Sequence, residues 1–167
     1  MSRSSIRLVI DTNTLLRGLA KPDSASGRVL RAVEHRHALL LTNRRVVEEY
    51  RIILLDTVLL ARFPALTPVS VEASIRALIY LSNDLGSVRT RFEFPRDRKD
   101  EKFLALAIAG KATHIITFDD DLLSLSEGRS DAAKRLRQRL PRLLIHSPSD
   151  FVRENEALIQ LDSGEPC

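Results

Sequence analysis

The amino-acid sequence predicts a single α/β domain built on buried parallel strands. Short apolar runs alternate with segments of helical periodicity along nearly the whole chain, the pattern of strands and crossover helices. The chain has 167 residues, 44% of them hydrophobic and 29% charged. That is long enough for a real core and an ordinary balance for a globular protein.

The elements follow in order. Residues 6–10 form the first buried strand, in which Leu8, Val9 and Ile10 run straight into Asp11. Val29, Leu30 and Val33 have helical spacing within 26–36. Residues 38–42, "ALLLT", make a second buried strand. Asn43 is placed to N-cap the next helix, whose apolar face uses Val46, Val47, Tyr50, Ile53 and Leu54. Two prolines mark 61–68 as a loop, and Val71, Ile75, Leu78, Ile79 and Leu81 predict a helix over 69–82. Residues 88–94, "VRTRFEF", alternate and predict a short, more exposed strand. A helix starts at Asp97–Asp100, continues through Phe103, Leu104, Ala107 and Ile108, and ends with Gly110 at the C′ position. "HIITF", 114–118, is a further buried strand that stops at Asp119-Asp120-Asp121. Residues 129–142 read as a basic amphipathic segment and 143–146 as the last strand. Ser147 and Pro148 cap and start a closing helix. The whole of 1–167 is expected to be one domain, with a flexible tail from about residue 160.

Composition removes several function classes. No run of 18 apolar residues is present, so no membrane span is expected, and "MSRSSIR" lacks the apolar stretch of a signal peptide. The expected location is the cytoplasm. Cys167 is the only cysteine, which excludes an internal disulfide and a cysteine-based zinc site. The formal charge of +4 is compatible with a nucleic-acid partner without requiring one. Aromatic residues make up 5% with no Trp, which argues against a base-stacking platform. The four histidines are scattered and read as structural or surface groups.

The informative residues are acids. Two parallel strands that each end in Asp bring Asp11 and Asp119 to the carboxyl edge of the sheet, where open α/β folds bind ligands. A lone Asp there is ordinarily a helix cap or turn residue; two after separate core strands point to a site. Asp97 and Asp100 lie at a helix start, where a carboxylate also serves as a cap. Glu48 and Glu49 follow the second strand, one of them facing inward and the other solvent. Converging carboxylates raise one another's pKa, and a divalent cation removes the repulsion. All-oxygen donors suit magnesium or manganese, which activate water and neutralise charge on a phosphate. The chemistry indicated is metal-assisted phosphodiester hydrolysis.

These residues resemble the PIN domain family of metal-dependent ribonucleases, in particular a subgroup of toxins from bacterial toxin–antitoxin pairs, nearly from end to end. "VIDTNTLL" is similar to the family's opening motif, with Asp11 as its first acid and Asn13 as polar companion. "VVEEYRIIL" is similar to the helix that supplies a Glu, and the position of Tyr50 favours Glu49 over Glu48. "RDRKDEKFLALA" is similar to the third motif. The close subgroup points to Asp100 and the wider family to Glu101; one residue is about 100° of helix rotation, so only one can face an ion, and Asp100 is preferred. "HIITFDDDLL" supplies Asp119 and Asp121, with Thr117 at a small-hydroxyl position, and "LLIHSPSDFV" resembles the closing strand and helix.

The resemblance implies a parallel sheet with helices on both faces. It implies that Asp11, Glu49, Asp100 and Asp119 hold Mg2+ or Mn2+, with Asp121 as auxiliary ligand. Thr12, Asn13 and Thr117 would orient acids or phosphate. The expected reaction is RNA hydrolysis without a covalent enzyme intermediate, by a chain that forms a homodimer and is blocked by a cognate antitoxin. Two departures stand out: Arg98 replaces the usual proline of the third motif, and the stretch from Leu125 to Pro141 is longer than in the subgroup. Residues 129–142 carry Arg135, Arg137 and Arg139 among other cations, with Asp131 as the single acid. These arginines, and Arg17 and Lys21 after the first motif, are candidates for RNA phosphate contacts. A solvated helix face is the competing reading of the basic stretch. Two other functions compete. "DTNTL" is a near miss for the nucleophile loop of haloacid-dehalogenase-like phosphatases, but Asn13 stands where a second Asp is needed. A catalytically inactive RNA- or protein-binding module is the third.

Overall fold

A computed structural model describes residues 6–160. Five strands, β1 (Arg7–Ile10), β2 (Leu39–Thr42), β3 (Asn83–Asp84), β4 (His114–Ile116) and β5 (Leu144–His146), form one sheet in the order β3-β2-β1-β4-β5. Every pairing is parallel. Helices α1 (Thr12–Ala20) and α2 (Ala25–Glu34) join β1 to β2. Helices α3 (Arg44–Leu54), α4 (Thr57–Ala61) and α5 (Pro68–Leu81) precede β3, and α6 (Glu101–Gly110) precedes β4. Between β4 and β5 lie α7 (Asp120–Ser124) and α8 (Asp131–Arg139), and α9 (Pro148–Glu154) and α10 (Glu156–Gln160) close the described chain.

Successive strand residues point to opposite faces, yet Leu8, Val9, Ile10, Leu40, Leu41, Ile115 and Ile116 are all essentially inaccessible. Both faces of the sheet are therefore covered. Helix α6 lies over β1, β2 and β4, while α2 packs against α1, α5 and α9. The chain leaves β1 towards β2 and β3, then returns to the other side of β1 with β4 and β5. That reversal opens a crevice at the carboxyl ends of β1 and β4. Asp11 and Asp119 stand at this crevice.

Two expected caps are present. The Val46 N–H donates to Asn43 at 2.9 Å, and the Asp150 N–H donates to the Ser147 hydroxyl at 3.2 Å, with Pro148 in the first helical position. His114 is buried against the Phe151 and His146 rings; burial first, and then His146, lowers its pKa to about 4, so it is a neutral core group. No described helix is long and apolar enough to cross a membrane.

Three expectations need correction. Residues 88–94 are not a strand. Their alternation is real, since Phe92 and Phe94 are buried, but the backbone is held by side chains instead of a ladder. The Phe94 N–H donates to Glu101 at 2.8 Å, and Arg135 and Arg139 each donate to a carbonyl, of Glu93 and Arg91, at 3.1 Å. The strand beside β2 is instead the two-residue β3. Gly110 is the last residue of α6, and the left-handed residue is Lys111, at φ 51°. Glycine there lets α6 pack closely on the sheet: an added Cβ would lie 2.6 Å from Leu41 Cδ1 on β2, which would have to shift. The helix expected from Asp97 begins as a 3-10 turn, Arg98–Asp100. The expected flexible tail, from residue 161 on, lies outside the described residues.

Gly27, in the first turn of α2, is crossed by the preceding loop so closely that an added Cβ would sit 2.0 Å from the Pro22 carbonyl oxygen. Gly27→Ala should lower the urea midpoint at unchanged slope, by about 1–3 kcal/mol of stability. An unchanged midpoint would mean that the loop yields freely.

Candidate active site

The β1–β4 ladder extends one residue past β1, because the Asp11 N–H donates to the Ile116 carbonyl at 3.2 Å. This fixes the Asp11 backbone in the sheet. Its carboxylate is buried and held twice: Oδ1 accepts from the Thr14 N–H at 2.7 Å, capping α1, and Oδ2 accepts from the Thr117 hydroxyl. The same hydroxyl accepts from the Asp119 N–H at 2.9 Å. Asp119 Oδ1 in turn caps α7, accepting from the N–H groups of Asp121 and Leu122 at 2.8 and 3.1 Å. Both strand-end acids are therefore helix caps, as the bland reading expects, and both face the crevice as well.

A third and a fourth acid join them from the start of α6. The Asp100 N–H donates to the Asp97 carbonyl at 3.3 Å, closing a 3-10 turn whose extended N-cap is Asp97, and both residues border the cleft. One carboxylate oxygen from each of Asp97, Asp100 and Asp119 lies within 4.8 Å of the other two. Asp100 is 8% exposed, and its Oδ2 is buried with no hydrogen-bond partner. Burial, then the charges of Asp119, Asp97 and Asp11, push its pKa up to about 7, against the opposing effect of Lys102. An unpaired buried carboxylate oxygen is costly, by about 1–3 kcal/mol or more. A small divalent ion meets the need of this oxygen, and the all-carboxylate donor set fits Mg2+ or Mn2+. Glu101 is turned away from this group and holds the Phe94 N–H.

Helix α3 supplies the opposite wall. The Tyr50 hydroxyl donates to the Ile10 carbonyl at 2.5 Å, fastening α3 to the end of β1. Its burial, and then Asp11 and Glu49, raise the pKa of this phenol above the ordinary value. Glu49 lies beside it in the cleft, accepting from the Thr12 hydroxyl at 2.7 Å through Oε1 and pairing with Lys102 through Oε2. Glu48 instead lines a separate groove with Arg44, Arg51 and Asp84. The acidic cleft has a volume of about 700 Å³, and Asp11, Thr12, Asn13, Glu49, Asp97, Asp100, Asp119 and Asp121 all border it. Asp121, the expected auxiliary acid, is paired with Arg96.

The basic candidates divide. Arg17 lies 4.5 Å over the Phe118 ring and contacts Asn13 at 3.4 Å. Arg17 and Lys21 border a cavity of about 550 Å³ that adjoins the cleft through Asn13, Leu16, Leu59 and Phe118. The three arginines of α8 are engaged with the chain itself. Arg135 and Arg139 hold the carbonyls of the 91–93 segment, Arg135 also lies 5.5 Å over the Phe92 ring, and the Arg137 guanidinium lies against Gly128. All three are exposed, and these contacts give them a structural role beside the proposed one on RNA. Neither Asp97 as a wall of the cleft nor Lys102 as the partner of Glu49 is expected from the sequence. The i, i+3 spacing of Asp97 and Asp100 was the available signal for the first.

A family model for the PIN domain matches residues 7–121, a span that runs from β1 through Asp121 and includes every acid that borders the cleft. The chain is similar to the uncharacterized protein MJ1680 of Methanocaldococcus jannaschii, with 28% identity over 167 residues that cover 95% of this chain and 97% of that one. No solved structure matches. With the family model spanning more than half of the sequence, and with the parallel sheet and acidic cleft in place, the chain belongs to the PIN domain family of nucleases.

Proposed function

We propose that this chain is an endoribonuclease dependent on Mg2+ or Mn2+. The observation that carries the reading is the buried, unpartnered Asp100 Oδ2 beside Asp97 and Asp119. In this reading Asp97, Asp100 and Asp119 hold the ion directly. Asp11 fixes the negative field beneath them, and Glu49 and Asp121 form the rim. A bound divalent ion supplies Lewis-acid polarisation of a phosphodiester and neutralises the charge that builds on it.

The chain's own residues do the rest. Thr117 holds Asp11 and Asp119 at a fixed separation, and Thr12 holds Glu49. Arg17 and Lys21, which border the cavity next to the cleft, offer positive charge to phosphates flanking the cut. The phosphatase alternative loses its support, because Asn13 cannot act as the second acid and both oxygens of Asp11 are already hydrogen-bonded. The narrower reading, a toxin acting as a homodimer and blocked by a cognate antitoxin over the cleft, rests on the subgroup resemblance of the sequence motifs.

Asp11→Asn retains the cap to α1, since Asn caps as well as Asp, but weakens the field around the ion. RNA cleavage with Mg2+ or Mn2+ should fall by about 100-fold or more in this variant, and chelator should abolish it in the parent. Cleavage at the parent rate in the variant, or in chelator, would overturn the assignment. Persistent RNA binding without cleavage by the parent would favour the inactive module.

Asp100 must be ionised to hold an ion. With its pKa raised to about 7, ion affinity should be about tenfold weaker at pH 6 than at pH 8 and level off above that. The sign for stability is opposite. The folded pKa lies above the unfolded one, so ionising Asp100 costs folding energy increasingly as pH rises from about 4 to 7. In chelator, Asp100→Asn should therefore stabilise the fold at pH 8, on the order of 2–4 kcal/mol, with the gain vanishing towards pH 4. A pH-independent difference in thermal midpoint would contradict this.

A further inference from the structure

Of the cations at the cleft, Lys99 lines it and Lys102 is bound to one of its acids, Glu49. Lys102 is the second residue of α6, two positions after Asp100. Its ammonium pairs with Glu49 Oε2 and also donates to the Lys99 carbonyl at 2.5 Å. Its side chain is 13% exposed and that of Glu49 26%, so this is not a loosely held surface pair. The other Glu49 oxygen is taken by the Thr12 hydroxyl at 2.7 Å. Both oxygens of Glu49 are thus engaged, whereas Asp100 Oδ2 in the same cleft has no partner. The other basic group in the cleft's pairing, Arg96 on Asp121, is 66% exposed and sits at the surface.

We propose that Lys102 is a built-in counter-cation that divides the cleft. It withholds Glu49 from the divalent ion, so that the cleft takes a single ion at Asp97, Asp100 and Asp119, with the ammonium in the place of a second. Lys102 is on this account a positioning residue: it acts through Glu49 and through the field it adds beside the ion. The inference rests on the metal-dependent reading of the same cleft. It differs from what the sequence motifs imply, which is that Glu49 is itself a ligand.

Isothermal titration with Mn2+ in the full chain tests it, without reference to cleavage. The parent should bind one ion. Lys102→Met frees Glu49 and removes a neighbouring positive charge, so it should bind a second ion or bind the first about tenfold more tightly. Lys102→Arg should restore a single ion of parental affinity. Lys102→Met combined with Glu49→Gln removes both members of the pair and should return to one ion within about threefold of the parent. The double variant leaves no unpaired charge, so it decides the question even where Lys102→Met alone fails to fold. A double variant that loses the ion as completely as Asp100→Asn makes Glu49 a ligand and overturns the proposal, as does Lys102→Met binding as the parent does. A parent that binds no Mn2+, or an Asp100→Asn that binds it unchanged, overturns the metal-dependent reading itself.

Discussion

The Thr117 hydroxyl donates to the Asp11 carboxylate and accepts from the Asp119 N–H, so acids at the ends of two adjacent strands share one buried group. The topology makes that contact available. Strand β1 has β2 on one side and β4 on the other, and the crossovers leave in opposite directions, which opens a crevice at the carboxyl ends of β1 and β4. The site exists because the sheet reverses there and because Thr117 fixes how far apart its first two acids stand. Tyr50 repeats the device on the other wall, tying α3 to the Ile10 carbonyl and bringing Glu49 to the same cleft.

The arrangement concentrates negative charge more than folding alone would favour. Asp11 and Asp119 recover part of the cost by capping α1 and α7, and Glu49 and Asp121 recover part by pairing with Lys102 and Arg96. Asp100 recovers the least. Its Oδ2 is buried with no donor, and burial and then its acidic neighbours push its pKa towards neutrality. A local conflict of this kind, in a carboxylate that borders an acidic cleft, is what a functional site looks like in physical terms.

Much of this was legible in the sequence. Apolar runs that end in acid gave β1 and β4 with Asp11 and Asp119, and the helix that follows β2 gave Glu49 beside an inward-facing Tyr50. Strand pairing was less legible at the edge. The alternation in "VRTRFEF" predicts which side chains turn inward, and Phe92 and Phe94 do, but alternation says nothing about whether a neighbouring strand or a set of side chains takes the backbone hydrogen bonds. Asp97 was read as a cap, and it is one, accepting from the Lys99 N–H at 2.8 Å. Its second role depends on the extended backbone with which Asp97 enters the 3-10 turn, which the local residue types do not specify. The arginines of 129–142 carry a charge signal with two readings, and neither reading foretells that Arg135 and Arg139 hold the carbonyls of the 91–93 segment. Lys102 had no sequence signal, because its partner lies on α3, far away along the chain.

The central claim is that one divalent ion completes Asp100. The most direct measurement is anomalous diffraction from crystals of the protein grown with Mn2+. The account predicts one strong peak bounded by the carboxylates of Asp97, Asp100 and Asp119, with Lys102 still on Glu49. No peak at that position, with Asp100 Oδ2 instead receiving a hydrogen bond from a protein group or an ordered water, would contradict it.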